Sequence, residues 1–198
     1  MQPLNKGQWQ VAASVGGPVL EKESKPNVIP LSSVSVAYGF SQNLTAYAGI
    51  HPSTATYGIY QLDAGYSHEL ITPFYVQPGI TYSIALNGFL DRADSETKVY
   101  PQIDLNAYWL LPFRNDFVYV GISNWFELAS KKAHEQTQDR RWIPGLHTGY
   151  TLQFDNWGLN TELKYLAPNA NNQNLLVDYY SPTNHGSLGI YLSLSRKF

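Results

Sequence analysis

The sequence has no cysteine, few charged residues and no long apolar run, and each absence excludes a class of protein. Without cysteine there are no disulfides, no thiol catalysis and no cysteine-based metal sites. Charged residues make up 14% of the chain, against about 25% in a typical soluble domain. No stretch reaches the roughly 18 apolar residues that a membrane-spanning helix needs. The net charge of −2 gives no basic face, so nucleic acid is not an expected partner.

What the chain does contain is clearest at its end, in residues 186–198 (GSLGIYLSLSRKF). Leu188, Ile190, Leu192 and Leu194 alternate there with small residues and one tyrosine, and the chain ends on Phe198. Alternation with a period of two indicates a β-strand that has one apolar face.

The same alternation recurs along the chain and predicts an all-β fold of about ten antiparallel strands, with eight as the alternative. We expect a single domain over residues 1–198. The first strand is predicted over about residues 8–16, followed by a polar loop at residues 17–30. The fifth strand is predicted to begin at Phe74 and to continue through Pro78. Short turns alternate with long loops, which is typical of outer-membrane barrels.

The composition of the two strand faces favours a membrane barrel over a soluble one. The polar face carries small residues with Tyr, Gln and Asn, rather than the Lys and Glu of a solvated surface. Such groups suit a crowded lumen. Aromatic residues gather near the strand ends, as in the girdles at the two bilayer interfaces. The predicted membrane girdle consists of Trp9, Phe74, Trp109, Phe117, Trp142, Phe154, Trp157 and Phe198.

With its strand rhythm, aromatic girdles and terminal Phe198, the chain resembles the small bacterial outer-membrane β-barrels of the OmpA, OmpX and omptin types. The resemblance covers nearly the whole chain and concerns architecture only. It implies a transmembrane up-and-down barrel in the bacterial outer membrane, with both termini periplasmic. Residues 1–7 (MQPLNKG) do not form a signal peptide, so we interpret the sequence as a mature form with an added initiator Met.

Several ionisable residues are predicted to face the lumen and to form one polar network: Asp63, Asp104, Glu127, His147, Glu162 and Lys164. The favoured interpretation is a network that satisfies polar groups and fills the barrel. The alternative is a path for protons, ions or solutes.

The longest predicted loop, residues 167–186, is the candidate partner-binding segment. It contains an apolar and aromatic cluster in an otherwise polar stretch: Leu175, Leu176, Val177, Tyr179 and Tyr180. Such a cluster docks a partner or folds over the barrel mouth.

From these features we expect a non-enzymatic structural or interaction protein, with a narrow pore as the alternative and an outer-membrane hydrolase third. The expected partners are outer-membrane lipid and lipopolysaccharide, with another envelope protein as a further candidate. No cofactor, metal site or catalytic residue is predicted. Ser67 and His68 are adjacent in sequence, but neighbouring strand residues point to opposite faces and do not meet.

Overall fold

The computed structural model describes residues 2–22, 25–92, 97–112, 115–128, 141–172 and 179–198. Its strands are β1 (Trp9–Lys22), β2 (Lys25–Val28), β3 (Leu31–Gly39), β4 (Leu44–Ile50), β5 (Ile59–Ile71), β6 (Gly79–Asp91), β7 (Thr97–Leu110), β8 (Phe117–Phe126), β9 (Trp142–Phe154), β10 (Trp157–Asn171) and β11 (His185–Lys197). A single turn of helix, α1 (Pro52–Ala55), lies between β4 and β5. In the ranges described, no helix is long and apolar enough to cross a membrane.

The strands form one closed antiparallel barrel. Each strand from β3 to β11 pairs with its neighbour in sequence, and β1 pairs with β3 on one side and β11 on the other. The ring therefore has ten strands, with short β2 paired only to the far part of β1. This confirms the ten-stranded up-and-down prediction and excludes the eight-stranded alternative.

The apolar face of the barrel points outward. On β11, Ile190, Leu192 and Leu194 are each 43–47% exposed, and Val, Leu and Ile occupy the equivalent outward positions around the ring. Among the described residues, the buried apolar cluster consists only of Tyr108, Phe117 and Tyr119. A soluble barrel would bury its aliphatic residues, whereas a membrane barrel turns them toward lipid. The face assignment is therefore that of a membrane barrel.

Most of the predicted aromatic girdle lies on this outer surface. Six residues face outward at the rim that carries the chain termini: Trp9, Phe74, Trp109, Phe154, Trp157 and Phe198. Trp142 faces outward at the opposite rim, where the long loops lie. On the termini-side rim the Arg196 guanidinium stacks over the rings of Trp157 and Phe198, at 5.2 and 4.9 Å from their centroids.

The girdle prediction is wrong for Phe117. This residue is 6% exposed and packs inside the barrel against Tyr108 and Tyr119, with ring centroids 6.0 and 6.2 Å away. Alternation along β8 explains the inward position, because Val118 takes the neighbouring outward position. The alternation along the strand therefore predicts whether a side chain points inward or outward better than nearness to a strand end does.

Two predicted strand boundaries are also wrong. β1 does not stop near residue 16 but runs on to Lys22, because its far part finds a partner in β2. The fifth barrel strand starts at Gly79, and the preceding residues form a tight turn closed by two backbone hydrogen bonds between Phe74 and Gln77. Pro78 has no amide to donate to the ladder, which is consistent with a strand that begins just after it.

Candidate functional site in the barrel lumen

One side of the lumen is lined by small side chains. Six inward positions on the three consecutive strands β11, β1 and β3 form this small-residue wall: Ser193, Ser195, Ala12, Ser14, Ser33 and Ser35. The larger inward residues Tyr191, Lys197 and Gln10 flank it. The hydroxyl oxygens of Ser14 and Ser33 lie 2.6 Å apart across the strand pair. Because these side chains are short, they fill less of the lumen than large side chains would.

The other side of the lumen is filled by large side chains. The inward residues of β7, β8 and β9 form this bulky wall: Asn106, Tyr108, Phe117, Tyr119 and His147. Glycine on the next strand makes the close packing possible. A Cβ atom at Gly149 would lie 2.4 Å from the Tyr119 hydroxyl, and one at Gly121 would lie 2.4 Å from Nε2 of His147.

Glu162 and Lys164 are the charged centre of the lumen. The Lys164 ammonium lies 2.9 Å from Glu162 Oε1 and 4.8 Å from the centroid of the Tyr191 ring. The Tyr119 hydroxyl donates a 2.8 Å hydrogen bond to the other carboxylate oxygen of Glu162. Asn160 accepts a 2.9 Å hydrogen bond from Thr151 and lies beside the Tyr119 hydroxyl. The ion pair is thus linked to the bulky wall.

The other predicted lumenal residues form separate groups. Asp104 accepts both of its hydrogen bonds, at 2.8 and 2.7 Å, from the Gln102 amide, and Asn87 donates to Gln102 at 2.8 Å. Asp104 is also close enough to Lys164 and Glu162 for electrostatic interaction. His147 Nε2 lies 2.5 Å from Asn106 Oδ1 and makes no ion pair in the described set.

Asp63 and Glu127 lie toward the long-loop rim. His51 Nε2 is 2.8 Å from Asp63 Oδ1, beside α1. Glu127 follows β8, is 4% exposed and bonds to the Tyr100 hydroxyl. The six predicted residues all lie in or at the mouth of the lumen, but the structure brings together only Glu162, Lys164 and, through charge, Asp104 and His147.

Part of the lumen is open to water. The Lys164 side chain is 35% exposed although it points into the barrel, and those of Asp63 and Glu162 are 20% and 17% exposed. By contrast, Tyr108 and Thr81 are fully buried on the other side. The lumen is therefore divided into a packed half along the bulky wall and a hydrated half beside the small-residue wall.

The chain before β1 closes part of the termini-side mouth. Residues 2–8 fold back into the barrel, and Leu4 is 2% exposed. The Leu4 amide donates a 2.9 Å hydrogen bond to the hydroxyl of inward-facing Thr45. The Gly7 amide donates to the Gly39 carbonyl at 2.8 Å, and the Gly39 amide donates to the Gln8 carbonyl at 3.0 Å. Next to this segment, the hydroxyl of Tyr108 on β7 donates to Glu69 on β5.

The predicted loop of residues 167–186 is too long, because β10 runs to Asn171 and β11 begins at His185, and its described residues add to the barrel wall. Tyr179 pairs with Leu20 of β1, and the Tyr180 amide donates a 2.8 Å hydrogen bond to the Val19 carbonyl. The Tyr180 side chain stays 46% exposed. Leu175, Leu176 and Val177 lie outside the described residues.

The positions of the serine, histidine and acidic residues give little support to an enzyme function. Ser67 is buried in the lumen, whereas His68 faces outward and stacks near the Tyr82 ring at 5.6 Å, so the two do not meet. His51 and Asp63 do form an Asp–His pair at the long-loop mouth. Among the described residues no group of three or more acidic or histidine side chains is arranged to hold a metal ion.

Comparison with known proteins identifies the class of fold. No family model matches the chain, and no curated protein matches it significantly. An outer-membrane channel from Pseudomonas putida F1 superposes with a TM-score of 0.59 at 8% identity, covering 100% of this chain and 97% of that one. The translocator domain of the autotransporter NalP from Neisseria meningitidis superposes with a TM-score of 0.50 at 10% identity, covering 98% and 90%.

These similarities concern the fold, and they agree with the outward apolar surface. The chain is a bacterial outer-membrane β-barrel protein. Those two solved structures are described as a channel and as a translocator domain.

Proposed function

We propose that the protein is a narrow channel for small polar solutes, and that the hydrated half of the lumen is its path. The observation that carries this proposal is the exposure of the Lys164 side chain inside the barrel. A barrel of this size is filled when large side chains project from all of its strands. Here six inward positions on three adjacent strands carry serine or alanine, next to Tyr191 at the level of Glu162, so this wall fills less of the lumen beside the ion pair.

The chemistry of the path fits a polar solute. Serine hydroxyls line β11, β1 and β3, and the Glu162–Lys164 pair lies beside them on β10, so a hydrated solute exchanges water for protein hydrogen bonds as it passes. The neighbour from Pseudomonas putida is described as an outer-membrane channel, and we extend that role to this chain as a proposal. The fold alone does not carry the function.

The test is solute uptake by proteoliposomes, measured as the swelling rate in small sugars and amino acids. Ser193→Phe places a large ring on the small-residue wall and is expected to lower the swelling rate severalfold. Leu192→Phe adds the same ring on the lipid-facing side of the same strand and is the matched control, with an unchanged rate expected. Both variants must retain the heat-modifiable migration of a folded barrel.

Because residues 2–8 occupy one mouth, the assay includes the chain without residues 2–7. Uptake that falls with Ser193→Phe but not with Leu192→Phe supports the channel. If neither the full chain nor the shortened chain admits solute above protein-free vesicles, the channel proposal is wrong. Equal uptake by both phenylalanine variants also contradicts the proposed path.

A second candidate function is partner binding through the long loops, which we propose to be extracellular with both termini periplasmic. The supporting observation is the way Tyr180 is held. Its backbone is fixed to Val19 of β1 while its side chain stays exposed, a geometry that presents an aromatic anchor at low entropic cost. Lipopolysaccharide and another envelope protein are the proposed partners.

A photoreactive residue at position 180 tests this role in intact outer membranes. We expect a defined cross-linked product from position 180 and none from position 75. Tyr75 is also an exposed tyrosine, at the opposite rim, and it serves as the control. Identical products from both positions would indicate non-specific capture and would contradict the loop role.

A further inference from the structure

Residues 2–8 fit the mouth of the hydrated half of the lumen. The segment is held by β3 and β4. β3 belongs to the small-residue wall, β4 is its neighbour in the ring, and the inward side chains of both strands are small at this end. Thr45, whose hydroxyl accepts the hydrogen bond from the Leu4 amide, is 2% exposed, and inward Ala37 on β3 is 9% exposed. The segment thus covers short side chains that would otherwise face an open mouth.

The barrel wall is shaped to receive the segment. A Cβ atom at Gly39 would lie 2.1 Å from the backbone oxygen of Asn5, so a larger residue there would displace the chain. Leu4 supplies the only apolar side chain of residues 2–8 that is fully buried, and its amide is fixed to Thr45. Residues 5–7 are exposed to solvent.

The remainder of the same mouth is closed in a different way. Tyr108, Phe117 and Glu69 project from strands of the ring and are packed or hydrogen-bonded to one another. Their backbones are fixed in the ladder, so this half stays closed unless the barrel itself deforms. Residues 2–8 precede the first strand, are covalently joined to the ring only at β1, and are otherwise held by hydrogen bonds to Gly39 and Thr45. Residues 2–8 can therefore move out of the mouth without a change in the barrel wall.

We propose that residues 2–8 are a removable stopper, with Leu4 seated against Thr45, and that their departure opens the termini-side mouth to the path along the small-residue wall. This inference rests on the proposed channel function and adds the element that controls it. The free energy that holds the segment in place is modest. The burial of one leucine and a few hydrogen bonds must offset the conformational entropy that seven residues lose on ordering. The segment is thus suited to reversible release rather than to permanent closure.

The absence of cysteine allows a direct test by disulfide tethering. In the Leu4→Cys/Thr45→Cys double variant the oxidised bond holds the segment in the mouth, and reduction frees it. The 2.9 Å contact between the Leu4 amide and the Thr45 side chain places the two positions close enough for a bridge. The control is Ser14→Cys/Ser33→Cys, whose bond joins β1 to β3 in the lumen without touching the segment.

Single-channel conductance in planar bilayers is the measurement. We expect the oxidised tether to abolish opening events, reduction to restore them, and the chain without residues 2–7 to open severalfold more often than the parent. The control pair is expected to respond to reduction far less. Each protein is checked for heat-modifiable migration, so that a misfolded barrel is not counted.

The possible failures are distinguishable. If the oxidised tether conducts like the parent and the shortened chain behaves the same way, the stopper is wrong while the channel stands. If the shortened chain is as silent as a protein-free bilayer, the channel proposal fails and the stopper fails with it.

Discussion

Glu162 and Lys164 occupy successive inward positions on β10, and their side chains form a 2.9 Å ion pair inside the barrel. Partial access to water limits what this pair contributes to stability. We expect a double-mutant cycle of Glu162→Gln and Lys164→Met to give a coupling free energy of about 1 kcal/mol. The measurement is equilibrium unfolding in urea with lipid vesicles. Additive effects of the two substitutions would show that the pair does not act as a unit.

The charges around this pair predict ion selectivity. Three carboxylates, Asp63, Asp104 and Glu162, line the hydrated lumen together with the ammonium groups of Lys164 and of Lys197, which faces inward at the termini-side end of β11. A channel lined in this way is expected to prefer cations, because rings of carboxylates select for positive charge. Glu162→Gln should move the reversal potential in a KCl gradient toward anion permeation.

The control for selectivity is Asp155→Asn, which removes the same charge from an exposed turn at the termini-side rim. Its reversal potential should stay at the parent value. An equal shift in both variants would assign the selectivity to surface charge. Recordings use the chain without residues 2–7, so that the mouth does not limit the current.

Close packing at Gly149 predicts a cost for the smallest possible substitution. In Gly149→Ala the new methyl group meets the Tyr119 hydroxyl at 2.4 Å, and overpacking of this kind costs about 1–3 kcal/mol. Gly88→Ala is the control, since its Cβ would approach nothing closer than 3.7 Å. The free energy of unfolding should fall for the first variant only, and a loss of similar size in both would contradict the proposed contact.

The orientation of the five tryptophans can be checked with brominated lipids. Trp9, Trp109, Trp142 and Trp157 face outward, whereas Trp125 points inward near the rings of Phe89 and Tyr100. In variants that retain a single tryptophan, fluorescence should be quenched strongly at the four outward positions and weakly at Trp125. Strong quenching of Trp125 would show that the phase of β8 is misplaced, and with it the inward position of Phe117.

The fold was predictable from sequence because a membrane barrel repeats one local rule. Leu188 through Leu194 alternate with small residues, and the same alternation assigns lumenal Asp104, His147, Glu162 and Lys164 to the inner face. The prediction was wrong where a side chain was assigned to a face without that rule. Phe117 was assigned by its nearness to a turn, although the phase of β8 places it inside.

The parts that sequence reasoning missed depend on contacts between distant segments. Nothing local in residues 2–8 signals that Leu4 packs beside Thr45, since the two are 41 positions apart. Likewise, the far part of β1 becomes a strand because β2 and Tyr179 supply its partners. The predicted network is divided because neutral side chains bind two of its members. Asn106 binds His147, and Gln102 binds Asp104.

The small-residue wall has a further consequence for how the barrel assembles. The bulky wall belongs to strands that are consecutive in sequence, so its interlocking needs only short-range pairing. The junction of β1 with β11 joins opposite ends of the chain, and at its inward centre short side chains are paired, Ala12 with Ser195 and Ser14 with Ser193. β1 and β11 can therefore pair late in folding, because the side chains at the centre of their junction are short. We therefore expect amides of β1 and β11 to gain protection from hydrogen exchange after those of β7 and β8 during refolding into vesicles.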